Sequence, residues 1–178
     1  LIAPMVESPY GLENFILALQ DFTTPMQFGR LNKHINIETI TAVKQLDGIL
    51  NVPEASFLDE ITIGCSDLSG SLKKPTMEVS VLNRVARVVK KIQSKKITVS
   101  VGGGIQPNSI DDFLKKVQPD KFNTRVVTFD VFPGQKYNQA VAEALRFEIL
   151  MLEHDARQRF ITRDEEKFRI KELKKRLK

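Results

Sequence analysis

Cysteine and the larger aromatic residues are scarce in this 178-residue chain, which contains one cysteine, Cys65, two tyrosines and no tryptophan. A single cysteine excludes a disulfide framework within the chain and is typical of a reducing compartment, so we expect a cytoplasmic protein. Few large aromatic residues leave little surface on which nucleic-acid bases could stack. No apolar run approaches the roughly 20 residues that a membrane-spanning helix needs, so no membrane association is expected.

The net charge of +5 is compatible with nucleic-acid binding in principle. Much of the positive excess, however, lies after Arg157, in a tail that also carries acidic residues such as Asp164 and Glu172. Charges of both signs at helical spacing are typical of a solvated helix face. Nucleic-acid binding is therefore the least favoured of the functions considered.

Short apolar runs alternate with longer amphipathic stretches along the first 130 residues. The pattern predicts five strands, at residues 1–6, 34–38, 60–64, 97–101 and 125–130. Helical stripes of apolar residues lie between them, as in the segment 79–92. Because parallel neighbours need a crossover helix, this alternation predicts a parallel α/β sheet.

The most favoured fold is a TIM (β/α)8 barrel, which has eight such units in about 250 residues. Residues 1–132 would supply its last five units, with about three expected upstream, because residues 1–6 resemble a buried strand entered midway. Residues 133–178 would form a helical extension that packs across the barrel bottom or against another subunit of a homo-oligomer. A flavodoxin-like open sheet is the alternative, which periodicity does not exclude.

Carboxylates stand at or just past the ends of four predicted strands. They are Glu7, Glu38, Asp67 and Asp130, while the strand at 97–101 ends instead in three glycines, 102–104. Functional residues of parallel α/β proteins gather at the carboxyl ends of strands, so these side chains are candidates for a site in the barrel mouth.

Glu38 and Asp67 form the sharpest pair, because they lie 29 residues apart, about one βα unit. On neighbouring strands both carboxylates would point into one mouth. Two carboxylates with waters are a typical site for Mg²⁺ or Mn²⁺, and a bound dication removes their mutual repulsion. Alternatively, Glu38 pairs with a Lys or Arg and Asp67 caps the turn that follows it.

The loop at 64–71 is rich in small residues, so its backbone N–H groups either hold an anion or form a plain turn. The glycines at 102–104 are explained either by close approach of a ligand or strand, or by a tight turn. Cys65 lies beside this loop but has no histidine nearby in sequence, so we do not assign it as a nucleophile.

Other chemically capable residues are expected away from the site. His34 and Arg125 each begin a predicted strand, which places them at the barrel bottom. His154 falls in the tail helix and is expected to be solvated. Glu7 and Asp130 would line the mouth or support the residues that do.

The segments APMVESPYGLENF (3–15), INIETITAVKQLDGIL (35–50), ITIGCSDLSGSL (61–72) and VSVGGGI (99–105) resemble the HpcH/HpaI aldolase and citrate lyase family. The resemblance implies a barrel that cleaves or forms carbon–carbon bonds beside the carbonyl of a small 2-oxo acid or an acyl-CoA. It assigns the divalent metal, Mg²⁺ or Mn²⁺, to Glu38 and Asp67. It assigns the substrate carboxylate to the backbone N–H groups at Ser66 and Asp67. By position, Gly64 is a further candidate for substrate binding, and Glu7 and Cys65 are candidates for supporting neighbours.

In that family an essential arginine and the acid–base group come from strands that precede the matching segments, so the resemblance assigns no acid–base residue within this sequence. The leading hypothesis is thus a metal-dependent lyase. The second is a non-catalytic relative that serves as a subunit or ligand-binding module.

Overall fold

The computed structural model describes residues 1–76 and 78–177 and contains one six-stranded sheet in the order β1-β2-β3-β4-β5-β6. The first five strands pair in parallel, and β6 pairs antiparallel to β5. The strands are β1 Ile2–Ala3, β2 His34–Ile37, β3 Glu60–Gly64, β4 Thr98–Gly102, β5 Lys121–Asn123 and β6 Thr128–Asp130.

Helices connect the five parallel strands, and two more helices follow the last strand. Several begin with hydroxyl caps, because a free N–H of the first turn needs an acceptor: Ser8 Oγ accepts from Gly11 N, and Thr39 Oγ1 accepts from Ala42 N. They are α1 Pro9–Asp21, α2 Pro25–Arg30, α3 Ile40–Asn51, α4 Cys65–Ser71, α5 Val79–Ser94, α6 Ile110–Val117, α7 Asn138–Arg157 and α8 Arg163–Arg176, with a 3₁₀ helix at Pro53–Phe57.

The sequential order of the parallel strands decides between the two predicted folds. A flavodoxin-like sheet reverses its order partway, whereas here each strand lies beside the next one in the chain. The flavodoxin-like alternative is therefore wrong. Five sequential parallel strands joined by helices form part of a TIM barrel, as predicted.

The two faces of the sheet differ sharply in polarity, because successive side chains of a strand point to opposite faces. One face is fully buried and apolar, with Ile35, Ile37, Ile61, Ile63, Val99, Val101 and Phe122 all at 0% exposure. The other face is polar, and its side chains bond to one another: Thr62 Oγ1 lies 2.8 Å from Ser100 Oγ, and Lys121 Nζ lies 3.0 Å from Glu60 Oε2. The helices cover the apolar face, which leaves the polar face as the barrel interior.

The fifth strand differs from its prediction. Residues 125–130 are not a parallel strand, because β5 is Lys121–Asn123 and the chain then turns back through a hairpin into β6. Thr124 fixes the turn, since its N–H donates to Val127 O at 2.9 Å and its Oγ1 accepts from Val127 N at 3.1 Å. The β-branched residues after the turn had the stronger strand pattern, and nothing in that pattern distinguishes a returning strand from a new one.

This hairpin reverses two placements. Asp130 pairs with Lys121 at the amino end of β5, so it lies at the barrel bottom and does not line the mouth. Arg125 lies in the turn that follows the carboxyl end of β5, so it is at the mouth edge rather than the bottom. His34 begins β2 at the bottom and His154 is exposed on α7, both as predicted.

Two further predictions need correction. The first strand is limited to Ile2–Ala3, because Met5 adopts a positive φ of 56°, although Val6 N still donates to Asn36 O at 3.1 Å. Most of the predicted loop at 65–72 is helix α4.

The tail helices α7 and α8 pack against each other and return toward the mouth. The guanidinium of Arg176 donates two hydrogen bonds, of 3.0 and 2.8 Å, to Ile105 O in the loop after β4. The end of α8 thus lies at the carboxyl-end edge of the sheet, not across the bottom. Phe147 and Leu150 of α7 are exposed, and self-association through the tail stays a prediction.

No helix in the described part of the chain is both long and apolar enough to cross a membrane.

The pair formed by Glu60 and Lys121 predicts a pH-dependent stability. The hydrogen bond to buried Glu60 raises the pKa of Lys121 in the folded protein. The contribution of this pair to the free energy of unfolding is therefore complete below the ordinary lysine pKa, about 10.4, and is lost as the pH rises through the pKa of Lys121 in the folded protein. The difference in free energy of unfolding between wild type and Glu60→Gln, from urea denaturation, should shrink as the pH rises above the ordinary lysine value of about 10.4.

The titration of Cys65 is common to both proteins and cancels in this difference. Glu143→Gln serves as the control, because its partner Arg146 keeps its charge over this range. A difference for Glu60→Gln that stays constant with pH would contradict the prediction.

Candidate functional site

The carboxyl ends of β2, β3, β4 and β5 form one row across the mouth. Gly64 pairs with Gly102, and Gly102 pairs with Asn123. The pairing of Ile37 with Ile63 places Glu38, the next residue, beside Gly64. Two glycines therefore lie between the side chains of Glu38 and Asn123, and they leave backbone accessible in the middle of the row.

Glu38 is half-buried and lies directly against Gly64. A Cβ at position 64 would be 2.7 Å from Glu38 Oε1, so the absence of a side chain there makes room for the carboxylate. Glu38 Oε2 accepts a hydrogen bond of 3.1 Å from Met5 N. Within residues 1–76 and 78–177, Glu38 forms no ion pair with a Lys or Arg, contrary to the alternative considered from the sequence.

Asp67 is exposed and is the third residue of α4, one helical turn after Gly64. Gly64 is the N-cap, and no side chain caps this helix, so Asp67 does not act as a cap. Ser66 and Asp67 lie in the first turn, where backbone N–H groups have no acceptor within the helix. A carboxylate and free N–H groups thus occur together at this strand end.

The glycines after β4 are required by close packing. Gly103 has a φ of +88°, and a Cβ there would lie 2.6 Å from both Ser66 N and Ser66 Oγ. Gly104 has a φ of +69°, and its Cβ would be 3.2 Å from Thr76 Cγ2. Of the two explanations for residues 102–104, close approach therefore applies to Gly103, and it is an approach to the start of α4.

Glu7 and Cys65 lie beside this centre in different ways. Thr39 Oγ1 donates a hydrogen bond to Glu7 Oε1, which ties the segment after β1 to the start of α3. Cys65 is 1% exposed, and burial raises the pKa of its thiol to about 12. The thiol is neutral at physiological pH, which agrees with leaving it out of the nucleophiles.

The structure adds one residue that strand patterns had not identified. Asn123 Nδ2 donates to Ser100 Oγ at 3.2 Å, while Asn123 Oδ1 is buried and has no hydrogen-bond partner among residues 1–76 and 78–177. The prediction missed it because β5 was placed too late in the sequence. The alternation of Lys121, Phe122 and Asn123 was the available signal.

The donor set at the mouth is small. Among the described residues, no three His, Cys, Asp or Glu side chains come together as a metal-binding group. The candidate centre therefore rests on two carboxylates, Glu38 and Asp67, which are hard oxygen ligands of the type that Mg²⁺ and Mn²⁺ prefer.

Sheet order, the covered apolar face and the polar mouth define the class as a partial TIM barrel. Solved structures of similar fold agree with this class.

An HpcH/HpaI aldolase/citrate lyase family protein from Burkholderia cenocepacia J2315 matches with a TM-score of 0.52 and 16% sequence identity, over 64% of this chain and 53% of that protein. The HpcH/HpaI aldolase from Desulfitobacterium hafniense DCB-2 matches with a TM-score of 0.52 and 18% identity, over 65% of this chain and 53% of that protein. The citrate synthase SbnG matches with a TM-score of 0.56 and 16% identity, over 87% of this chain and 63% of that protein.

This likeness confirms the resemblance to the HpcH/HpaI group in fold. The chain spans between 53% and 63% of the length of these three structures. No family model and no curated protein matches the sequence.

The close contact at Gly103 predicts a specific substitution effect. Gly103→Ala should be more destabilising than Gly134→Ala, because both glycines have a positive φ but only position 103 lacks space for a Cβ. The left-handed conformation alone costs about 1–2 kcal/mol, which is the loss expected for Gly134→Ala. Urea denaturation of both variants measures the difference, and equal losses would show that Ser66 moves aside easily.

Proposed function

We propose that this chain belongs to the HpcH/HpaI aldolase and citrate lyase family and contributes to a divalent-metal-dependent carbon–carbon lyase. Its substrate would be a small 2-oxo acid or an acyl-CoA. The observation that carries the proposal is the arrangement at the ends of β2 and β3. Glu38, without an ion-pair partner in the described residues, lies against Gly64, and α4 begins there with free N–H groups and the exposed carboxylate of Asp67.

The residues present fit Mg²⁺ or Mn²⁺. Such ions take one or two carboxylates and retain waters, so Glu38 and Asp67 suffice as protein ligands. The missing side chain at Gly64 lets the Glu38 carboxylate lie against the end of β3, and the Met5 N–H orients its other oxygen. When bound, the ion would supply Lewis-acid stabilisation of the negative charge that develops on the substrate carbonyl oxygen.

The first turn of α4 would bind the substrate carboxylate. The N–H groups of Ser66 and Asp67 are unpaired within the helix and carry the partial positive charge of a helix start. Gly103 packs against Ser66 and supports this turn from the neighbouring strand. These contacts would orient the bond to be broken, with the carbonyl beside the two carboxylates.

Binding measurements on the chain test this assignment without requiring turnover. Mn²⁺ should raise the Tm, and pyruvate should raise it further, since a ligand at 100 times its Kd stabilises the folded state by about 2.7 kcal/mol. Glu38→Gln and Asp67→Asn should each lose most of both shifts, measured by thermal denaturation monitored by circular dichroism. Asp112→Asn, which changes an exposed carboxylate on α6, is the matched control and should retain both shifts.

Shifts of equal size in wild type and both site variants would contradict the assignment. Release of pyruvate from oxaloacetate faster than with Mn²⁺ alone, and slowed in Glu38→Gln and Asp67→Asn, would favour the lyase over the non-catalytic module.

A further inference from the structure

A cavity lies beside α6, apart from Glu38 and Asp67, neither of which lines it. It has a volume of about 430 Å³ and lies between α6 and the segment 131–137 that joins β6 to α7. Val131 N donates to Asp120 O at 2.9 Å, so this segment is held beside the amino end of β5. The volume falls within the usual range for small-molecule sites, roughly 300–1,000 Å³.

Tyr137 holds the wall of this cavity in place. Its ring is 2% exposed and packs edge-on against Phe122, with centroids 5.1 Å apart. Its hydroxyl donates to Asp130 O at 2.7 Å and accepts from Phe132 N at 2.8 Å. Its backbone N–H donates to Asp111 Oδ1 at 2.9 Å. Hydrogen bonds at both ends of the segment make the cavity preformed.

The lining combines apolar walls with a positive rim. The Phe132 ring remains 59% exposed although its backbone is fixed, and an ordered exposed aromatic ring beside a cavity is a typical feature of a ligand site. Lys136 has no carboxylate within 4.0 Å in the described part of the chain, and Lys115 contacts only the exposed Asp112, at 3.4 Å. The one acidic side chain of the lining, Asp111, already accepts from Tyr137.

We propose that this cavity binds a small aromatic or apolar carboxylate, with its apolar part against Phe132 and its carboxylate at Lys136 and Lys115. The site is independent of the proposed lyase chemistry, because none of its lining residues belongs to the proposed metal and substrate site. An apolar cation fits less well, since it would meet two lysines and a carboxylate that is already engaged.

The probe is 4-phenylbutyrate, titrated into ¹⁵N-labelled protein with a chelator present, and 4-phenylbutanamide is its uncharged counterpart. Amide resonances of 131–137 and α6 should shift, and the amide compound should bind roughly two- to fivefold more weakly, the range expected for one exposed ion pair. Lys136→Gln should weaken binding of the acid by a similar factor and leave binding of the amide unchanged. Lys116→Gln, which lies on α6 outside the lining, should change the binding of neither compound.

Phe132→Ala should weaken the binding of both compounds, because it removes the apolar wall while leaving Tyr137 in place. An unchanged urea midpoint would show that this variant remains folded. Equal affinity for acid and amide in wild type would overturn the carboxylate assignment. The absence of shifts in 131–137, or shifts confined to Gly64 and Ser66, would overturn the site itself.

Discussion

The common register of β2, β3 and β4 is the constraint on which the mouth depends. It brings Glu38, Gly64 and Gly102 into one row, so that the carboxylate of one strand occupies space that a side chain on the next would fill. A shift of one residue in any of these pairings would turn the polar face toward the helices and bury Thr62 or Ser100 among isoleucines and valines. Burying these polar side chains would cost free energy, and this cost maintains the register. The register in turn positions the candidate site.

Glycines serve this arrangement at points where two backbones or a backbone and a carboxylate meet. The carboxylate of Glu38 packs against Gly64, and the start of α4 packs against Gly103. Gly103 has a positive φ, a conformation that other residues rarely adopt. The contact at Gly103 also links β4 to the helix that follows β3, so the first turn of α4 is supported from the neighbouring strand.

The mouth and the cavity beside α6 have different chemistry. At the carboxyl ends of the strands lie the carboxylates of Glu38 and Asp67 and the first N–H groups of α4. Beside α6, the segment that follows the hairpin forms a cavity with apolar walls and lysines at its rim. Tyr137 connects this cavity to the core through Phe122, the residue between Lys121 and Asn123. A single strand, β5, thus contributes to both regions.

Amphipathic periodicity alone determined the parallel α/β class, most helix positions and the strands β2, β3 and β4, because burial on one face leaves a strong pattern. It also identified Glu38 and Asp67 as strand-end carboxylates. It did not determine the hairpin, and so it misplaced Arg125 and Asp130, since a returning strand and a new one have the same local pattern. Only the tertiary structure decided three features: the sheet order, the contact of Gly103 with Ser66, and the burial of Asn123 Oδ1 without a hydrogen-bond partner in the described residues. Each of them depends on residues that are distant in sequence, which a local pattern does not contain.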